Sequence, residues 1–176
     1  IQDDLKHIEW ELSGPVVDDA GSFVALGLSA NDKMGDDYVV ECSKLVGVKL
    51  FSVKLSYNSP KNETAGIAPT NTRIPDEANA RPSRVTSNSA TTTGGFLYCK
   101  AIVLADGTGG EKFYKLTKGE KKTILLAAGT TTADGLKTHY GFPKGSTGEV
   151  VMENSSRECL FLSSLSFFLV ALVRFH

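Results

Sequence analysis

Apolar and polar positions alternate with a period of two over Ile8-Glu-Trp-Glu-Leu12, the mark of a half-buried strand. Phe23-Val-Ala-Leu-Gly-Leu28 and Tyr38-Val-Val-Glu-Cys42 are denser apolar runs. They predict two further strands joined by a polar, glycine-punctuated turn. Val48 to Tyr57 predicts a long strand rich in Val, Leu and aromatic residues. Phe96 to Leu104 predicts another, ending in the turn signal Ala105-Asp-Gly-Thr-Gly-Gly110. Lys112 to Leu116 reads as a short edge strand, Lys118 to Lys122 as a solvated turn, and Thr123 to Ala128 as a buried strand. No stretch before the C-terminal tail keeps a helical period. The pattern predicts an all-β protein, an immunoglobulin-like antiparallel β-sandwich with its functional loops at one end.

Two stretches break the pattern. Residues 58–93 are polar and carry Pro60, Pro69, Pro75 and Pro82 among Asn, Thr and Ser, which predicts a long flexible loop outside the core. Residues 151–176 change character again: after Asn154-Ser-Ser-Arg-Glu158 comes the apolar run Cys159 to Val173. That run is shorter than the ~20 residues of a comfortable membrane-spanning helix. It is similar to the hydrophobic tail of a lipid-anchor signal, although its polar spacer is short. The expected organisation is a sandwich over 1–150, then a linker and hydrophobic tail that is a candidate membrane anchor. Beginning at Ile1, the chain reads as a mature form or a fragment.

Composition narrows the function classes. The 176 residues suit one domain. With Lys+Arg 19 against Asp+Glu 20, interspersed, the chain lacks the electrostatic footprint of a nucleic-acid binder. Cys42, Cys99 and Cys159 form no C-x-x-C or C-x-x-C-H arrangement, which disfavours zinc ribbons, thioredoxin chemistry and covalent c-type haem. Cys42 and Cys99 each sit in a predicted strand, so they are placed either to bridge across a sandwich or to remain buried thiols. Asn62-Glu-Thr64 and Asn154-Ser-Ser156 are acceptors for N-glycosylation in an exported chain. Together these features favour an extracellular or cell-surface domain.

The candidate chemistry lies in two loops. Met34 sits at the tip of the turn Ser29-Ala-Asn-Asp-Lys-Met-Gly-Asp-Asp37, a poor place for ordinary core filling. Downstream, Leu126-Ala-Ala-Gly-Thr-Thr-Thr-Ala-Asp-Gly-Leu-Lys-Thr-His139 again runs from strand to polar loop and ends on a lone histidine. Met plus His is an axial pair for haem iron that favours electron transfer over substrate activation.

The segments Gly27 to Asp37, Val39-Val-Glu-Cys42, Phe96-Leu-Tyr-Cys99 and Leu125-Leu-Ala-Ala-Gly129 leading to His139 resemble a DOMON domain. More narrowly, they resemble the haem-binding members found in ferric-chelate reductase-like proteins and in the cytochrome domain of cellobiose dehydrogenase. The resemblance covers about Trp10 to Pro143, skipping residues 58–93. It implies an immunoglobulin-like sandwich holding one non-covalent haem b between loops. Met34 and His139 would then be the two axial metal ligands, filling the iron's coordination so that it passes single electrons. Trp10, Phe23, Tyr38 and Tyr140 are the candidate cofactor-binding wall, and Lys33, Lys137 or Lys144 the candidate cations for the haem propionates. The implied partners are a transmembrane cytochrome b or flavoprotein as electron donor, and ferric iron or another external acceptor. Neither donor domain is encoded in these residues.

Competing chemistries find little support. His7 is the reserve nitrogen ligand, and His176 ends the chain. Asp36-Asp37 lacks EF-hand spacing. Gly107-Thr-Gly-Gly110 lacks the P-loop lysine, and no nucleophile elbow is present. The alternative reading, from a different class, is a haem-free carbohydrate-binding or adhesion module, which needs no Met34–His139 pairing.

Overall fold

The fold is seen in a computed structural model that describes residues 7–31, 33–60, 70–74, 85–105, 116–137, 144–151, 159–162 and 170–175. Eleven strands are present among these residues: β1 (His7–Pro15), β2 (Ser22–Ser29), β3 (Asp37–Lys44), β4 (Ser52–Asn58), β5 (Asn71–Arg73), β6 (Val85–Thr93), β7 (Phe96–Leu104), β8 (Lys121–Thr130), β9 (Lys144–Val151), β10 (Cys159–Leu162) and β11 (Val170–Phe175). They form a five-stranded sheet in the order β10-β11-β1-β7-β6 and a six-stranded sheet in the order β5-β4-β3-β2-β8-β9. Every strand pairing is antiparallel, so the fold is the all-β sandwich that the alternation predicts.

Alternation decides which side chains meet between the sheets. Ile8, Trp10 and Leu12 of β1 point inward with Leu97, Cys99, Ala101 and Val103 of β7. They meet Val24, Leu26 and Leu28 of β2, Val40 and Cys42 of β3, Val53 and Leu55 of β4, and Ile124, Leu126 and Ala128 of β8. Cys42 and Cys99 are joined by a disulfide that links β3 to β7 across the sandwich. Trp10 is buried beside it, an arrangement shared with immunoglobulin-like domains.

Several expectations are corrected. The polar stretch 58–93 contributes two strands: β5 extends the six-stranded sheet at its edge, and β6 forms a hairpin with β7 through Gly94-Gly95. Its Thr- and Ser-rich composition suits an edge, where one side of a strand faces water. Residues 48–51 lie outside β4 because Gly47 adopts a left-handed φ of 85°, turning the chain before Ser52. The tail is not wholly separate from the domain. β11 inserts beside β1, Val173 is fully buried in the core, and β10 pairs with β11. Among the described residues no helix is long and apolar enough to cross a membrane. Most of the predicted edge strand at 112–116 lies outside the described residues, although Leu116 is core and donates its N–H to the Ala105 carbonyl at 3.2 Å.

Candidate functional site

The outer face of the six-stranded sheet departs from the usual sandwich pattern, in which such a face is solvated. Phe23, Ala25, Gly27 and Ser29 project there from β2, and Asp37, Val39, Glu41 and Ser43 from β3. All eight are buried. Phe23, Ala25 and Val39 form a second apolar cluster with Ala127 and Leu136, separate from the inter-sheet core. Gly27 faces Val39 on one side and Leu125 on the other. A Cβ placed on Gly27 would stand at ordinary contact distance from Leu125 Cβ (3.6 Å), the Tyr38 carbonyl (3.7 Å) and Val39 Cγ2 (3.8 Å), so Gly27 is the low point of a buried apolar seat that is already closely surrounded.

The segment after β8 lies over one end of this face. Thr131 donates its N–H to the Gly21 carbonyl at 3.2 Å and its hydroxyl to the Lys44 carbonyl at 2.8 Å. Gly21 has to be glycine here: a Cβ would stand 2.2 Å from the Thr131 hydroxyl oxygen. Thr131 also bridges to Leu136, and Lys137 returns its N–H to the Thr130 carbonyl at 3.0 Å. This stitching holds Leu136 in the outer cluster.

The Met34 turn closes the opposite end. Ser22 pairs with Thr130, whereas Ser29 pairs with Thr123, so the turn after β2 and the exit from β8 lie at opposite ends of the sheet. The expectation of functional loops at one end is therefore corrected. The six residue-to-residue steps from Phe23 to Ser29 separate the two ends by roughly 20 Å of strand. Gly35 (φ 136°) and Asp36 (φ 63°) give the turn its shape, and Met34 at its tip is 39% exposed.

A polar network borders the apolar seat. Glu41 is fully buried, and its Oε1 accepts from Arg73 Nε at 2.6 Å, from Arg73 Nη2 and from the Ser43 hydroxyl at 3.0 Å. Arg73 Nη2 also donates to the Ser43 hydroxyl, closing a ring of contacts around one carboxylate oxygen. Glu41 Oε2 has no hydrogen-bond partner. Nearer the Met34 turn, Asp37 Oδ2 accepts the Gly35 N–H at 2.6 Å. Burial pushes the Asp37 carboxyl above the ordinary carboxylate value, opposed by that hydrogen bond and by the Ser29 and Asn58 side chains. Asn71 Nδ2 donates to Ser56 Oγ at 2.9 Å and to Asn58 Oδ1 at 3.0 Å. The Tyr57 hydroxyl donates to Asp36, which pushes the phenol up to about 12.

The predicted site residues separate. Phe23 lies on the outer face beside the seat. Trp10 instead fills the inter-sheet core beside the disulfide, its indole N–H without a partner, so it does not wall this face. Tyr38 packs against the inter-sheet core and meets Tyr57 edge-on, ring centroids 5.9 Å apart. Lys33 belongs to the Met34 turn and Lys137 to the opposite end. Lys144 opens β9, opposite Ala127. His7 begins β1, in the other sheet. His139, Tyr140, Asn62 and Asn154 lie outside the described residues.

Sequence reasoning missed Glu41 and Arg73. Glu41 alternates with Val40 and Cys42 as a solvent-facing residue would, and Arg73 sits in the stretch read as a loop. The only signal was a lone carboxylate in an otherwise apolar strand, which on burial requires a cation. No protein-family model matches the chain, and no curated protein matches it.

Proposed function

We propose that this chain is an extracellular electron-transfer domain that binds one non-covalent haem b, with Met34 and His139 as axial ligands. The observation that carries the reading is the buried outer face of the six-stranded sheet: an apolar seat of Ala25, Gly27, Val39 and Ala127, flanked by Phe23, between the Met34 turn and the exit from β8. Met34 and His139 would both have to reach one iron, so with the Met34 turn and the exit from β8 at opposite ends of the face, the chain carrying His139 would have to return along the face toward Met34.

The residues fit the group. The residues around Gly27 are apolar, as a porphyrin edge would require, but they are already buried, so haem would enter only as that face opens, and Met34 offers a soft thioether at one end of it. When bound, the haem supplies one-electron chemistry. The chain's part is to hold the two ligands, exclude water with Phe23, Val39 and Leu136, and keep charge out of the seat by locking Glu41 to Arg73. The donor is a membrane cytochrome b or flavoprotein, and the acceptor is ferric iron or another external oxidant.

Haem titration of the purified chain, followed by optical spectra of the oxidised and dithionite-reduced forms, tests the reading. Stoichiometric uptake with sharp low-spin reduced bands is expected, and Met34→Ala and His139→Ala should each convert the spectrum to high spin. Gly27→Ala, whose added Cβ meets only ordinary contact distances, should weaken uptake while leaving the chain folded. Folded wild-type protein that takes up no haem would overturn the proposal.

One observation favours the second reading, a haem-free carbohydrate-binding module. On the outer face of the five-stranded sheet, Phe96 and Tyr98 expose their rings two residues apart beside Glu11 and Lys100. Flat apolar rings next to hydrogen-bonding groups suit a sugar ring. Tyr98→Ala would weaken glycan binding under this reading and leave a haem spectrum untouched.

A further inference from the structure

Four buried side-chain atoms among the described residues have no hydrogen-bond partner: Trp10 Nε1, Asp37 Oδ1, Glu41 Oε2 and Asn71 Oδ1. Three of them are acceptors, and all three belong to the outer face of the six-stranded sheet, on β3 or β5. Buried acceptors without donors are costly, and a group of them on one face favours a positive partner. Glu41 Oε2 stands apart: it lies four residues along β3 from Asp37, roughly 13 Å, and Arg73 already meets its carboxylate. The other two oxygens end one chain of contacts. Asp37, Asn58 and Asn71 are directly opposite one another across β3, β4 and β5, so their side chains share one face. Asn71 Nδ2 donates to Asn58 Oδ1 at 3.0 Å, and the Asn58 and Ser29 side chains stand against the Asp37 carboxyl. Asp37 is fully buried, and its Oδ2 takes the Gly35 N–H at 2.6 Å, which leaves Oδ1 for another partner. Burial is the chief reason that this carboxyl is raised, and the neighbouring Asp36 charge pushes it the same way.

The donor set selects the ion. The row offers carboxylate and amide oxygens, and among the described residues no group of three His, Cys, Asp or Glu is placed to hold a metal. Metals that seek thiolate or imidazole find nothing to bind in it. Magnesium demands a near-ideal octahedron and gives up its water reluctantly, whereas calcium accepts about six to eight oxygens in an adaptable shell that waters and backbone carbonyls complete. Two strand spacings put the Asp37 and Asn71 Cα atoms roughly 10 Å apart, a gap that two short side chains and two metal–oxygen bonds of about 2.4 Å can close. The ligands come from separate strands rather than from one loop, which is why no EF-hand spacing marks them.

We propose that Asp37 Oδ1 and Asn71 Oδ1 are ligands of one calcium ion, bound beside Asn58 at the Met34 end of the six-stranded sheet. The ion offsets the adjacent charges of Asp36 and Asp37 and ties the edge strand β5 to β3 across β4. It also steadies the Met34 turn, because the Asp36 N–H donates to the Asn58 carbonyl at 3.0 Å. With one carboxylate in direct contact, the affinity falls in the range of extracellular modules, about 10⁻⁴–10⁻³ M. The proposal does not depend on the cofactor.

Equilibrium dialysis of the chelator-treated full chain against radioactive calcium tests it, with thermal melts in calcium or magnesium at matched ionic strength as the second readout. The wild type should take up one ion per chain and melt higher in calcium than in magnesium. Asp37→Asn should weaken uptake about tenfold or more and lose the calcium response of the melt, while circular dichroism in chelator shows it folded. Asn71→Asp, which puts a second carboxylate in the row, should tighten uptake about tenfold. Folded wild type that takes up no calcium at about 10 mM, well above the affinity expected, would overturn the proposal. So would uptake that both substitutions leave unchanged. Equal shifts of the wild-type melt in calcium and magnesium would assign the effect to general surface charge, and would overturn it as well.

Discussion

Both sheets turn outward a face carrying carboxylates and cations, and the two faces handle those charges differently. On the five-stranded sheet, Lys100 pairs with Glu9 at 2.6 Å and Glu11 at 3.3 Å, and all three keep contact with water. On the six-stranded sheet, Glu41 is sealed from water and depends on Arg73, reached across β4 from the edge strand. Geometry alone would rank the pairs as similar. Solvent separates them: an exposed pair exchanges one set of favourable contacts for another, whereas a buried carboxylate has no alternative partner. A sandwich face built this way is not a mere exterior, because its charges are arranged for exclusion of water beside an apolar seat.

The largest expected effect comes from breaking the buried pair. Arg73→Ala should destabilise the fold by about 3–5 kcal/mol in chemical denaturation, because Glu41 is left buried and unpaired. Adding Glu41→Leu in the same chain should recover most of the loss. A deficit under ~1 kcal/mol for Arg73→Ala would mean that water reaches Glu41 and that the two faces are alike.

Asp37 sharpens the contrast through pH. Its carboxyl is held above the ordinary value of 3.8, chiefly by burial, so the folded chain binds that proton more tightly than the unfolded chain does. This group's contribution therefore becomes more favourable as pH falls through the raised value toward 3.8, the reverse of a salt-bridged aspartate. Asp37→Asn keeps an acceptor for the Gly35 N–H and should melt higher than wild type at neutral pH. The gap should close as the melts are repeated at lower pH. A gap that stays constant would assign the change to packing.

The smallest effect is expected on the solvated face. Lys100→Ala should leave the denaturation midpoint within experimental error, although it removes two ion pairs. A clear loss there would show that this face too is shielded from water.

Much of the sandwich was legible in the sequence because alternation reports directly on which side of a strand is buried. Ile8–Leu12, Phe23–Leu28, Tyr38–Cys42 and Phe96–Leu104 all lie within strands, and the bridge between Cys42 and Cys99 was among the alternatives their positions left open. The strands at Asn71–Arg73, Val85–Thr93 and Lys144–Val151 were hidden for a physical reason. Edge strands need only one hydrogen-bonded neighbour and little apolar surface, so their composition resembles that of loops. The tail misled in the opposite sense: Val170–Phe175 is apolar enough to suggest a lipid partner, yet it pairs with β1 inside the sheet. At the candidate site, the Met34 turn was legible from its setting. The Glu41–Arg73 pair was not, because it joins residues 32 positions apart and nothing local marks which carboxylate will be enclosed.

The Cys42–Cys99 bridge has a consequence for how the chain survives damage. Its two ends are 57 residues apart, and the span between them holds β4, β5, β6 and the prolines Pro60, Pro69, Pro75 and Pro82. A single peptide-bond cut anywhere in that span leaves two pieces tethered through sulfur, one carrying the Met34 turn and the other the exit from β8. The two halves of the outer face stay together as one nicked molecule, and part only when the bridge is reduced.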